Sequence, residues 1–172
     1  MHVLVATDGT LDADKAALFA TSLAGSEGTT TIATIVRIPR RLLDELRNKW
    51  GGHVATTFDA DAEYVGASQI DGSGTMPRSW PGDDAVIEQY LGNKRVENAR
   101  PVAQAIRDLG GEAESVVREG DDVEDEIMAL RQELGADVIV IGSHGHGAFQ
   151  GLLGSTGAKL VRRAAVPVLV IR

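Results

Sequence analysis

Asp8 stands at the end of a short apolar run, His-Val-Leu-Val-Ala-Thr-Asp-Gly, near the start of the chain. A second apolar run, residues 138–141, breaks at Gly142 into a glycine-dense stretch carrying Gly145, Gly147, Gly151 and Gly154 ahead of Ser155 and Thr156. Glycines leave backbone N–H groups bare and permit close approach, and a helix starting at Ser155 would add the positive end of its dipole. Those are the requirements of a phosphate. A carboxylate beside such a nest repels the ligand unless it holds a cation or bonds a sugar or base. Magnesium, which keeps several waters and few protein ligands, fits that role at Asp8.

The other chemical residues point to less. His144 and His146 supply too few ligands for a closed metal site in a chain without cysteine. A pair facing solvent or phosphate is the simpler reading. Gly145-His-Gly-x-x-x-Gly151 is a loosened dinucleotide fingerprint on the wrong strand, and the chain ends before an acidic residue could meet a ribose. Gly154-Ser-Thr-Gly-Ala-Lys159 echoes a P-loop, but neither serine nor threonine follows the lysine. Arg162 and Arg163 read as a helix end favoured by the dipole, with a salt-bridge or dimer role open to them. The acidic run 119–126 reads as a solvated helix start. No nucleophile or poised general base stands out, so a binding module is favoured over an enzyme, with at most slow hydrolysis.

For Asp8 and Gly142 to act together, their elements must be neighbours. Residues 3–7 and 29–36 read as strands joined by a helix over 13–24, capped by Thr10 or Asp12 and ended by Gly25. Residues 83–109 read as helical, with Pro101 able to kink or split the helix. A strand over 114–118, a helix over 123–134, a strand over 137–141, a helix over 155–164 and a strand over 166–171 complete an alternating pattern. Such alternation calls for a parallel sheet covered on both faces. In an open sheet of this kind ligands bind outside the carboxyl ends of the strands, where strand order reverses. Asp8 and Gly142 face each other there if the first and fourth strands adjoin. Asp8 could otherwise simply brace its turn, and Ser155 could simply cap the last helix.

Within 37–82, residues 40–50 read as a short charged helix, and residues 51–82 mix glycine, aspartate, serine, threonine and proline without a trustworthy period. Trp50, Phe58, Tyr64 and Trp80 lie in or beside this stretch, where they are expected to pack an insertion onto the body or a partner subunit. The whole chain, 1–172, reads as one α/β domain interrupted by this insertion at about 37–82.

Composition excludes several functions. Of 172 residues 43% are hydrophobic and 24% charged, as in an ordinary globular protein. The net charge of −8 and an aromatic content of 4% leave neither a basic footprint nor stacking platforms for nucleic acid. No apolar run nears the length of a membrane span, and the first residues carry no signal-peptide pattern. A cytoplasmic protein is expected.

The stretches VLVATDGT, VVREGD, ADVIVIGSHG, LLGSTGAKLV and VPVLVIR together resemble the universal stress protein (UspA) family, in its nucleotide-binding branch. The resemblance covers nearly all of the chain outside 37–82. It implies a five-stranded, mostly parallel, Rossmann-like sheet of the adenine nucleotide alpha hydrolase type, with helices on both faces. It also implies binding of ATP with magnesium, a role in stress response, and a homodimer formed through the last strand, residues 166–171. The family's ATP signature falls on Gly142, Gly145, Gly154 and Ser155. By the same resemblance Ala6, Thr7 and Asp8 line the adenine and ribose side, Val36 touches the base, and Ile141 lines the pocket before Gly142. Gly142, Gly145, Gly154, Ser155 and Thr156 would hold ribose and phosphates, with Asp8 near the metal. Eight residues separate Gly145 from Gly154, one fewer than the family signature carries. A scaffold of the same fold without nucleotide, and a metal-dependent ATPase using Asp8, are the alternative readings.

Overall fold

The protein is described here by a computed structural model, which defines residues 1–38, 83–143 and 154–172. Five parallel strands form one sheet in the order β3-β2-β1-β4-β5: β1 (His2–Ala6), β2 (Thr29–Val36), β3 (Glu112–Glu119), β4 (Val138–Gly142) and β5 (Val168–Ile171). The expected sheet is present, and every one of its pairings is parallel. Helices α1 (Ala13–Ala24), α2 (Asp83–Lys94), α3 (Arg100–Asp108), α4 (Val123–Leu134) and α5 (Ser155–Arg163) connect the strands, with a π-helical turn (Arg95–Ala99) between α2 and α3.

Alternation along each strand divides the core into two layers. Val3 and Val5 of β1, Ile32 of β2 and Val138 and Val140 of β4 face Ala16, Ala17 and Ala20 of α1 and Val102, Ala103 and Ile106 of α3. Leu4, Ala33, Ile139 and Ile141 point the other way, onto Ile127 and Leu130 of α4 and Leu160 of α5. The period of two that sends neighbouring side chains to opposite faces, both of them covered, explains why residues 3–6 of β1 and all of β4 are apolar. Small alanines let α1 approach the sheet closely. Each fully buried leucine or valine contributes about 1.5–3 kcal/mol relative to exposure.

Local chemistry sets the element ends. Asp12 caps α1 by accepting from the Lys15 N–H at 3.0 Å, and Asp122 caps α4 by accepting from the Asp125 N–H at 3.2 Å. Gly135 ends α4 in the left-handed region. The segment 83–109 is interrupted, as Pro101 suggests. Pro101 has no N–H, and its ring would meet the Glu97 carbonyl in a regular helix. The chain widens by one residue just before it, and the Arg100 N–H donates to the Arg95 carbonyl.

By proximity the chain divides into two compact units, one of Met1–Arg37 with Leu91–Arg172 and the other of Ile38–Tyr90. Most of the second unit, including the expected insertion and Trp50, Phe58, Tyr64 and Trp80, lies outside the described residues. No described helix is long and apolar enough to cross a membrane.

Candidate functional site

Strand order reverses between β1 and β4, the central pair that runs on one side to β2 and on the other to β5. Crossovers therefore leave these two strands toward opposite faces, α1 to one layer and α5 to the other. At such a switch point a ligand crevice is expected outside the carboxyl ends of the two strands. Ala6 is in register with Ile141, so Thr7 and Asp8 emerge beside Gly142 and Ser143. Sequence reasoning expected this meeting of the Asp8 and Gly142 ends.

The β1–α1 turn is held by its own polar groups. The Thr7 N–H continues the ladder by donating to the Ala33 carbonyl at 2.9 Å. Thr7 Oγ1 accepts from the Gly9 N–H at 3.0 Å, and Asp8 Oδ1 accepts from the Thr10 N–H at 3.0 Å and from Thr10 Oγ1 at 2.6 Å. Asp8 thus braces the turn while its residue stays exposed, and Asp12, not Asp8 or Thr10, caps the helix. Gly9 sits at φ +93°, a conformation that favours glycine.

On the other side of the crevice, Ser143 ties three elements together. Its N–H donates to the Ile171 carbonyl at 2.7 Å, and its carbonyl accepts from the Gly154 N–H at 3.3 Å. Whatever path the chain takes from 144 to 153, the start of α5 is fastened to the end of β4. The cap residue of α5 is Gly154, which has no side chain to offer, and Ser155 is the first helical residue rather than the cap. The N–H groups of the first turn have no partner within the helix by its geometry. The Gly154–Ser143 bond sets this first turn beside the end of β4.

The remaining residues expected at the site differ in burial. Val36 ends β2 three positions beyond Ala33, the partner of Ala6, and so overhangs the end of β1; its side chain is buried. Ile141 lies in the core beneath the crevice, packed in the same cluster as Leu160. Gly154 and Ser155 are exposed, and Ala6, Gly142 and Thr156 are half-buried. Gly145, His144 and His146 lie outside the described residues.

Two features escaped sequence reasoning. Glu124 in the acidic run is not solvated. It is buried and forms an ion pair with Lys159, joining the first turn of α4 to α5, while Arg163 reaches Asp125 at 2.8 Å. The carboxylate of Glu124 accordingly holds the Lys159 ammonium above the usual lysine range. The second feature is Asn98 on the π-helical turn. It lies so close to Gly9 that a Cβ there would come within 2.6 Å of Asn98 Oδ1. Only the proline at 101 hinted at an irregular turn here.

A sequence model described as the Universal stress protein family matches residues 1–172. Universal stress protein G of Shigella flexneri is 50% identical over 50 residues, which make up 29% of this chain and 35% of that protein. The match therefore spans about a third of that relative's length. The solved structure of the universal stress protein from Archaeoglobus fulgidus in complex with dAMP superposes with a TM-score of 0.56 at 19% identity, covering 100% of this chain and 98% of that one. A universal stress protein in complex with cAMP gives 0.52 at 21% identity, covering 100% and 96%. At these identities the structural likeness concerns the fold.

Proposed function

Because the chain belongs to the universal stress protein family, we propose that it binds an adenine nucleotide, ATP with magnesium, in the crevice between the carboxyl ends of β1 and β4. In this reading Ala6, Thr7, Asp8 and Val36 border the base and ribose. Gly142, Gly145, Gly154, Ser155 and Thr156 take the ribose and phosphates, and Ile141 forms part of the floor. The protein acts in stress response as a homodimeric sensor or regulator rather than as a dedicated enzyme.

One observation carries the reading: the Gly154 N–H to Ser143 carbonyl bond at 3.3 Å. It fastens a helix N-terminus to the end of β4, one residue beyond Gly142 and beside β1. That arrangement suits an anion however the shortened loop runs. The dAMP and cAMP complexes of proteins with this fold favour adenine as the base. Among the described residues no three His, Asp or Glu side chains gather as a metal cluster. A cation here would take its ligands from phosphate, water and Asp8, the habit of magnesium rather than of zinc.

Calorimetric titration of ATP with magnesium tests the proposal, alongside an assay for nucleotide released on denaturation. Gly142→Val and Gly154→Val serve as the variants. A Cβ on Gly154 meets nothing within 4 Å, and its φ of −56° suits any residue, so the fold tolerates a side chain there. Binding in the wild type that falls at least ~10-fold in Gly154→Val, about 1.4 kcal/mol, supports the site. A wild type that neither carries nor binds adenine nucleotide favours the scaffold reading instead.

A further inference from the structure

In the nucleotide reading above, the half of the site assigned to the base is bordered by an element that the motif residues do not include. The π-helical turn Arg95–Ala99 lies against β2 and β3, on the face that also carries Val3 and Val5. It brings Asn98 onto the β1–α1 turn at Gly9, whose missing Cβ leaves room for it. Single turns of π-helix inside α-helices concentrate at functional sites because the extra residue redirects one side chain. Here the redirected side chain is a half-buried carboxamide. Among the described residues it has no hydrogen-bond partner.

A second group of the same kind lies next to Thr7. The Thr7 N–H bonds the Ala33 carbonyl, so Thr34 follows beside Thr7 on the same face of the sheet. Thr34 is 1% exposed, and its hydroxyl has no hydrogen-bond partner among the described residues. A buried hydroxyl left unpaired is costly and calls for an explanation. The region between β1, β2 and the π-helical turn thus holds unspent donors and acceptors, at the end of the crevice that Val36 overhangs.

A carboxamide presents one acceptor oxygen and N–H donors side by side. Adenine offers the complement along one edge, an amino donor at N6 beside an acceptor at N7, whereas guanine offers two acceptors there. We propose that Asn98 is a specificity-determining residue that selects adenine over guanine by pairing with this edge. The inference rests on the nucleotide reading above and deepens it by naming the group that reads the base. Thr34 lends the pairing a polar floor, directly or through one ordered water.

Titrating wild type, Asn98→Ala and Asn98→Asp with ATP and with GTP, each with magnesium, tests this. The expected result is a wild type that prefers ATP and an Asn98→Ala variant that loses about tenfold or more in ATP affinity with GTP affinity unchanged. Asn98→Asp, which keeps the size but has no donor for N7, loses the preference as well. Thermal melts of all three should coincide within ~2 °C, since the carboxamide gives up no hydrogen bond to the described residues. Equal weakening toward both nucleotides would indicate a merely structural role and overturn the inference. So would a wild type that binds ATP and GTP alike, with the nucleotide site itself left standing. A wild type that binds neither nucleotide overturns both readings.

Discussion

Residue chemistry at the carboxyl edge is conducted mainly by short side chains acting on nearby backbone. Thr7, Asp8, Asp12 and Asp122 each accept from N–H groups two or three residues ahead, which fixes turns that glycine alone would leave loose. The Lys15 N–H, above all, holds the Asp12 carboxyl below its ordinary range, and the Asp125 N–H does the same for Asp122. A carboxyl lowered on folding contributes stability that is complete above its unfolded pKa of ~3.9 and is lost as pH falls through the lowered folded value. Thermal stability should therefore be flat from pH 7 to about 5 and fall below about pH 4. Asparagine caps a helix as well as aspartate does but does not titrate. The double variant Asp12→Asn, Asp122→Asn should keep the neutral-pH melting temperature and show a shallower acid limb, measured by circular dichroism from pH 7 to 2. An acid limb as steep as the wild type's would remove the caps from the explanation.

At the scale of elements, α5 is placed by three kinds of contact. Leu160 anchors it in the core, the Gly154 N–H ties its start to β4, and Lys159 and Arg163 bond the first turn of α4. The two ion pairs are unequal. The Glu124 side chain is 7% exposed, whereas Asp125 is 57% exposed. Removing the partner of a buried carboxylate leaves it uncompensated, while exposed pairs contribute little. Lys159→Ala should therefore lower the melting temperature clearly more than Arg163→Ala, whose effect should stay within ~4 °C. Equal losses in scanning calorimetry would contradict this ranking. Lys159→Ala should also weaken ATP binding, because a looser α5 no longer holds its N–H groups toward the crevice.

For the whole molecule, the sheet order leaves β3 and β5 as edges. The Ile139 N–H bonds the Pro167 carbonyl and the Ser143 N–H bonds that of Ile171, so odd-numbered residues of β5 turn their backbone toward β4. Val168 and Val170 then present N–H and carbonyl groups outward, with half-buried side chains. A short apolar edge of this kind invites a second strand. We expect a homodimer joined along β5. Val170→Pro removes an outward N–H without breaking a bond to β4, so sedimentation velocity should show wild-type dimer converted to monomer. A wild type already monomeric at ~100 μM, or a variant that remains dimeric, would rule out this edge.

The sequence by itself determined the elements. Apolar or β-branched runs bounded by glycine or proline located β1, β2, β4 and β5, the alternating pattern located the more polar β3, and α1 and α4 fall where their caps and stops placed them. These signals are local: periodicity, capping and turn chemistry act within a few residues. It also marked Asp8 and Gly142 as chemically unusual strand ends. Sequence reasoning did not reach contacts between groups far apart in the chain. Glu124 resembled its exposed neighbours Asp121, Asp122 and Asp125 until α5 covered it and supplied Lys159. Asn98 was one polar residue in a helix until the widened turn before Pro101 brought it against Gly9, 89 positions away (98 minus 9). The anchoring of α5 through Ser143 was equally invisible, because a backbone hydrogen bond leaves no trace in residue type. Tertiary structure decides these placements, since burial and pairing depend on which surfaces meet.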